Sequence, residues 1–222
     1  MGTTHIWLTG VLQQATATDY PNIGQPADDP DVLKGKAGSF FAIKDYFDVS
    51  PDYALDPANR LEEFEALVDR VHAHDMKVII DFVPNHVART YASDIRPEQS
   101  FGADDDTSKF YDPQNNFFYL NDPPGQSLSL PAPDHWDRPP GADGTIEQED
   151  NDGTPPGDVP RVTGNNQATA SPSVNDWYET VKLNYGYDFT TGTENYEPIP
   201  DTWKKTEAVL ASWTEPGGEG WR

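Results

Sequence analysis

Residues 77–86 read KVIIDFVPNH, and this stretch decides the fold. An apolar run rich in β-branched residues (Val78, Ile79, Ile80) ends in a carboxylate, Asp81, and is followed by an adjacent amide and imidazole, Asn85 and His86. So short a run predicts a strand buried on both faces, as in parallel α/β sheets. In such folds the loops beyond the carboxyl ends of the strands build the active site. Asp81, Asn85 and His86 therefore fall where chemistry is expected, and the chain reads as part of an enzyme.

Upstream, Leu61, Phe64, Leu67, Val68 and Val71 recur at three- and four-residue spacing, which predicts a helix over 60–74 with one apolar face. Asn59 is a suitable N-cap, and Glu62 completes a capping box with it. Asp56 and Pro57 form a turn into this helix, which ends near His74–Asp75. Further upstream, THIWLTGV (4–11) is apolar and β-prone, is closed by Gly10, and predicts a second buried strand. Residues 13–39 read as a long loop, and FFAIKDYFDVSPDY (40–53) as a short strand and turn. Strand, excursion, helix and strand in this order make a βαβ unit, with parallel strands and a right-handed crossover.

From about residue 88 the character changes. Residues 94–176 hold the acidic run Asp104-Asp105-Asp106, proline pairs at 123–124, 139–140 and 155–156, and scattered aromatics, with no helical period. A structureless loop of that length does not suit a compact domain. The segment reads instead as an inserted subdomain, irregular or β-rich, whose aromatic content argues against full disorder. DWYETVKLNYGYDF (176–189) has room for a strand. A second helix is predicted over 201–213, capped by Asp201, with Trp203, Ala208 or Val209, Leu210 and Trp213 buried and Pro216-Gly217-Gly218 as its stop.

Composition narrows the partners. Fifteen basic residues face 38 acidic ones, a formal charge of −23. That field repels phosphate backbones and anionic membrane surfaces, which argues against nucleic acid and membrane as partners. It suits neutral or cationic ligands, sugars and hard metal ions among them, although acidity that only keeps the chain soluble carries at least equal weight. The absence of cysteine removes disulfides, thiolate metal sites and cysteine nucleophiles together. No stretch is apolar enough to cross a membrane and no signal peptide is visible, but Met1 stands directly before a predicted strand, so localisation is not readable.

These pieces, in this order, resemble the α-amylase family of glycoside hydrolases (glycoside hydrolase family 13). DFVPNH (81–86) is similar to the family's D-x-x-x-N-H signature at the end of the third barrel strand. FFAIKDYFDVSPDYA (40–54) resembles the segment before the second barrel helix, and DMKVII (75–80) the approach to the third strand. GWR (220–222) looks like the opening of the G-[FW]-R-x-D signature on the fourth strand. The resemblance implies an α/β fold: a partial (β/α)8 TIM barrel, about strands two to four, with a large irregular inserted B domain. Residues 1–87 would be barrel, 88–197 the B domain, and 198–222 the return to the barrel.

The same resemblance implies roles. His86 would donate a hydrogen bond to the sugar at the cleavage point. Phe41 stands where the family usually has a stacked tyrosine, so it would keep the ring platform and lose the hydroxyl. Asp81 occupies a largely architectural position on the substrate side. Arg222 would pair with a nucleophilic aspartate two residues later, holding it ionised. Asn85 would be a ligand to Ca²⁺, which prefers neutral and anionic oxygens; Asn184 or Asp188 is the nearest stand-in for the family's later aspartate ligand. The implied substrate is an α-glucan or oligosaccharide, cleaved by a retaining mechanism. The three catalytic carboxylates have no counterpart in these residues, which predicts that the 222-residue chain is inactive by itself. Two other readings stay open: a non-catalytic carbohydrate- or partner-binding relative of the barrel, and a different barrel hydrolase with its acid/base pair in the acidic insertion.

Overall fold

The computed structural model describes residues 2–130, 140–142 and 159–214. The amino-terminal part comprises β1 (His5–Leu8), β2 (Leu12–Gln14), β3 (Ile43–Val49), α1 (Arg60–His72) and β4 (Lys77–Ile80). β1 and β4 pair in parallel, His5 opposite Lys77 through to Leu8 opposite Ile80, and α1 lies on the connection between them. The expected parallel pairing is present.

Burial on both faces is not. Leu8, Val78 and Ile80 pack with Val49 and with Phe64 and Val68 of α1. On the opposite face Trp7 and Ile79, partners in the ladder, are 65% and 48% exposed. An apolar run becomes a doubly buried strand only when a layer covers each face. Among the described residues this sheet has two strands, with α1 packed against one face.

The run 4–11 is also not one strand. Gly10 adopts φ +69°, and a Cβ there would lie 2.6 Å from Cβ of Phe40, so the turn requires glycine. Beyond it the chain continues as β2, antiparallel to β3 in a separate sheet.

The start of α1 departs from the expected capping box. Asn59 makes no cap; its amide donates to Asp56 Oδ2 at 2.7 Å. A 3₁₀ turn, Pro57–Asn59, comes first, and Asp56 caps it by accepting from the Ala58 N–H at 3.1 Å. Glu63, rather than Glu62, reaches back to the N–H groups of Leu55 and Asp56, each at 2.8 Å. Capping has moved one turn upstream because proline at the first helical position already directs the chain. Arg60, first residue of α1, is buried with Asp48 of β3: its Nε lies 2.8 Å from both carboxylate oxygens and its Nη2 2.5 Å from Oδ2. Burial pushes the Asp48 carboxyl up, and Arg60 opposes that shift.

The remaining elements are β5 (His86–Ala88), β6 (Thr180–Lys182), β7 (Tyr187–Asp188), β8 (Thr193–Glu194) and α2 (Asp201–Thr214). β5 and β6 pair antiparallel with His86 opposite Lys182, and β7 pairs with β8. Isolated bridges, Phe117 to Leu183 and Tyr119 to Arg161 among them, knit the irregular segment. The acidic run belongs to this scaffold. Half-buried within it, Asp105 accepts from the N–H groups of Asn116 (2.8 Å) and Phe117 (3.0 Å) and from the Tyr119 hydroxyl (3.0 Å), while Asp106 pairs with Lys109 at 3.1 Å. One apolar cluster joins Ile43, Tyr46 and Phe47 of β3 to Val87, Phe117, Val181 and Leu183, and to Val209 of α2. The long segment therefore shares a core with β3 and α2.

The buried face of α2 is Thr202, Lys205, Val209 and Ser212; Trp203 and Leu210, expected inside, are 51% and 45% exposed. A polar network sets this rotation. Lys205 Nζ donates to the Ser100 carbonyl (2.8 Å) and Asn116 Oδ1 (3.0 Å) and pairs with Asp201 (3.1 Å). Trp213 is half-buried, and its Nε1 donates to the Tyr46 carbonyl at 2.7 Å. The Pro216-Gly217-Gly218 stop lies outside the described residues.

Two stability predictions follow from these contacts. Replacing Arg60 with Met leaves the Asp48 carboxylate buried without its cation and is expected to cost about 3–5 kcal/mol in urea unfolding; an unchanged midpoint would mean the pair carries no weight. Asp45, buried on β3, has its carboxyl raised by burial from 3.8 to about 7, against the 2.8 Å bond it accepts from the Phe47 N–H. A folded-state value above the unfolded one means stability present below pH 3.8 and lost as pH rises through about 7. Asp45→Asn should flatten that slope in melting temperatures measured across the interval, and an unaltered slope would assign it to another group.

Candidate functional site

Past β4 the chain runs through Asp81, whose N–H still donates to the Leu8 carbonyl at 3.1 Å, and turns into β5 at Asn85 and His86. His86 is buried at the start of β5. Nδ1 accepts from Asn85 Nδ2 at 2.9 Å, which leaves the ring proton on Nε2, and the backbone of Phe41 lies near enough to affect the ring's protonation. Burial first, and then the charge of Lys182, lower the imidazole to about 4; the Phe41 contact works in the opposite direction. His86 is thus a neutral ring at ordinary pH, able to donate from Nε2.

A cleft of about 510 Å³ opens beside it, lined by Lys34, Ser39, Phe41, Val83, His86, Trp177, Glu179 and Thr180. Phe41 is 43% exposed and also borders a smaller depression with Gly10, Phe40, Asp81 and Val83. It thereby links the His86 side of the site to the Asp81 side. The Trp177 ring stands edge-on to His86, centroids 5.3 Å apart, with 45% of the residue exposed. Across the cleft Lys34 pairs with Glu179 at 3.1 Å and donates to the Asp176 carbonyl at 2.8 Å. Two exposed aromatic rings beside a neutral imidazole and a polar wall suit an uncharged, hydroxyl-rich ligand.

His86, Phe41 and Asp81 thus share one region. Arg222 lies outside the described residues. Asn85 is present, but its surroundings differ from those of a metal ligand. Its Oδ1 accepts from the ammonium of Lys182, and its Nδ2 also donates to the Gly164 carbonyl at 2.9 Å. The proposed companion donors are engaged in their own turns. Asn184 Oδ1 accepts from the Gly186 N–H (2.9 Å), and the Asp188 carboxylate accepts from Thr190 and Thr191. Among the described residues no group of three or more His, Asp or Glu is placed to hold a metal. This donor set does not fit Ca²⁺, which takes 6–8 oxygens.

Sequence reasoning missed Lys182, Trp177 and the Lys34–Glu179 pair. Lys182 carries a faint signal, a lone charge after Thr180-Val181 in a predicted strand. Its partner His86 is set by a long-range antiparallel register that no local pattern shows.

Comparison with known proteins addresses the family of the chain. Cyclomaltodextrin glucanotransferase of Bacillus sp. (strain 1011) is 30% identical over 95 residues, 42% of this chain and 11% of that protein. Maltase 1 of Drosophila virilis is 44% identical over 46 residues, 21% of this chain and 6% of that one. The crystal structure of an alpha-amylase from Lactobacillus plantarum aligns with 96% of this chain and 28% of its own, at 22% identity and a TM-score of 0.43. The chain therefore spans about a tenth or less of these curated relatives. The description "Alpha amylase, catalytic domain" matches residues 1–222, the whole chain, and the chain belongs to the alpha-amylase family.

Proposed function

We propose that these residues are the sugar-positioning part of a glycosidase that cleaves or transfers α-glucosidic bonds of oligo- or polysaccharides by a retaining mechanism. The observation that carries the reading is the meeting of His86 and Phe41 at one cleft, just beyond the carboxyl end of β4. In this reading residues 1–87 and 198–222 are barrel and 88–197 the inserted B domain. The parallel β1–β4 pair with α1 supports the first assignment, and the irregular segment knitted by short bridges supports the second.

The chemistry divides accordingly. Phe41 presents an aromatic face to sugar C–H groups, which holds the ring plane. Neutral His86 exchanges its contact with the Phe41 backbone for a hydroxyl of the bound sugar, and Asp81 lies across Phe41 from it. None of these groups makes a glycosyl ester or protonates a leaving oxygen; retaining cleavage needs two carboxylates about 5–5.5 Å apart across the scissile bond. In the family motif that residues 220–222 resemble, the arginine precedes one of them by two positions.

Reducing-sugar release from a soluble α-glucan tests the division of labour. The 222-residue chain is expected to show no turnover, and a longer polypeptide continuing the barrel past Arg222 is expected to be active. In the longer protein Phe41→Ala should lower kcat/KM about tenfold, the worth of one aromatic platform. Turnover by the short chain, abolished by replacing an acidic residue within 94–176, would move the catalytic centre. Glucan binding without turnover by the longer protein would make it a non-catalytic relative.

A further inference from the structure

We propose that the Lys182 ammonium is a built-in cation that holds Asn85 in place of a divalent metal, so that this part of the fold needs no calcium. The proposal goes beyond the sugar-handling role and stands or falls without it.

The geometry starts from what each group can do. An ammonium only donates, and an amide side chain both donates and accepts. Lys182 therefore fixes the amide of Asn85 one way round: Oδ1 toward Nζ, and Nδ2 toward the Gly164 carbonyl and His86 Nδ1. That orientation matters because Asn85 joins three separate parts of the chain: the start of β5, the backbone at Gly164, and β6. Its own carbonyl adds a fourth tie, accepting from the Leu183 N–H at 3.1 Å. A metal bridging the same parts would do so through oxygen ligands. Here one positive charge delivered from β6, directly opposite His86 in the ladder, does so through an amide.

The two cations exclude each other. Ca²⁺ bound to Asn85 Oδ1 at 2.3–2.6 Å would lie within a few ångström of Nζ, where like charges repel strongly in a partly dry site. It would also need further oxygens, and those of Asn184 and Asp188 are turned into hydrogen bonds of their own loops. Lysine suits the place because its flexible stem delivers a compact point charge.

Thermal unfolding of the 222-residue chain tests this without an activity readout. With EDTA, and again with millimolar CaCl₂, the melting temperature should stay unchanged, because a ligand specific to the folded state would raise it. Lys182→Met keeps most of the stem, removes the charge, and should lower the melting temperature by about 3–6 °C with or without calcium. A fall in EDTA that calcium reverses, and that disappears in Asn85→Ala, would overturn the proposal. The same calcium response retained in Asn85→Ala would place the ion elsewhere and leave Asn85 with Lys182, as proposed. A Lys182→Met protein as stable as the parent would also overturn it, since the ammonium would then hold nothing.

Discussion

The ion pair between Asp48 and Arg60 is the constraint on which most of the amino-terminal half depends. It joins the end of β3 to the first residue of α1, two elements that belong to different sheets or layers. Arg60 also donates to the Pro57 carbonyl at 3.0 Å, so the turn before the helix is held by the same guanidinium. Gln25 reaches Asp48 Oδ2 at 3.4 Å from the loop between β2 and β3. A buried pair is weak evidence for net stability, because desolvation offsets much of the attraction. Its contribution here is placement: Phe41 lies two residues before β3, and its position in the cleft can be no better fixed than that strand.

A second arrangement of charge governs the site. The amide of Asn85 stands between His86 and the cation of Lys182, and that cation adds to the larger effect of burial. Both push the imidazole toward its uncharged form. In a chain of net charge −23 the opposite would be the naive expectation, since a surplus of carboxylates favours protonated histidine. Local contact outweighs the global field because interactions beyond a Debye length, about 8 Å at physiological salt, are screened.

The legible and illegible parts of the sequence divide along a physical line. The βαβ unit was readable because β-branched runs and helical spacing are local, and α1 buries Phe64, Val68 and Val71 as its pattern required. The placement of His86 and Phe41 at one cleft was readable only through ordered motifs. Burial of β1 and β4 was overestimated, since an apolar run reports an affinity for cover and cannot report what covers it. The rotation of α2 is not legible in its apolar residues because Lys205, a polar residue, bonds Ser100 and Asn116. Asn85 was assigned by motif to a metal, while the group it touches comes from a strand brought alongside by tertiary folding.

The core shared between β3, the irregular segment and α2 bears on how such proteins can be recombined. Segments of this kind are attractive units to exchange between relatives, on the view that an insertion is a cassette with its own interior. Here Phe117, Val181 and Leu183 complete a cluster begun by Tyr46 and Phe47, and Lys205 holds α2 to Ser100 and Asn116. A donor segment cut at its sequence boundaries would arrive without the partners that fill it. A workable graft takes the facing residues of β3 and α2 along with the segment, so the natural unit of exchange is an interface and not a stretch of chain.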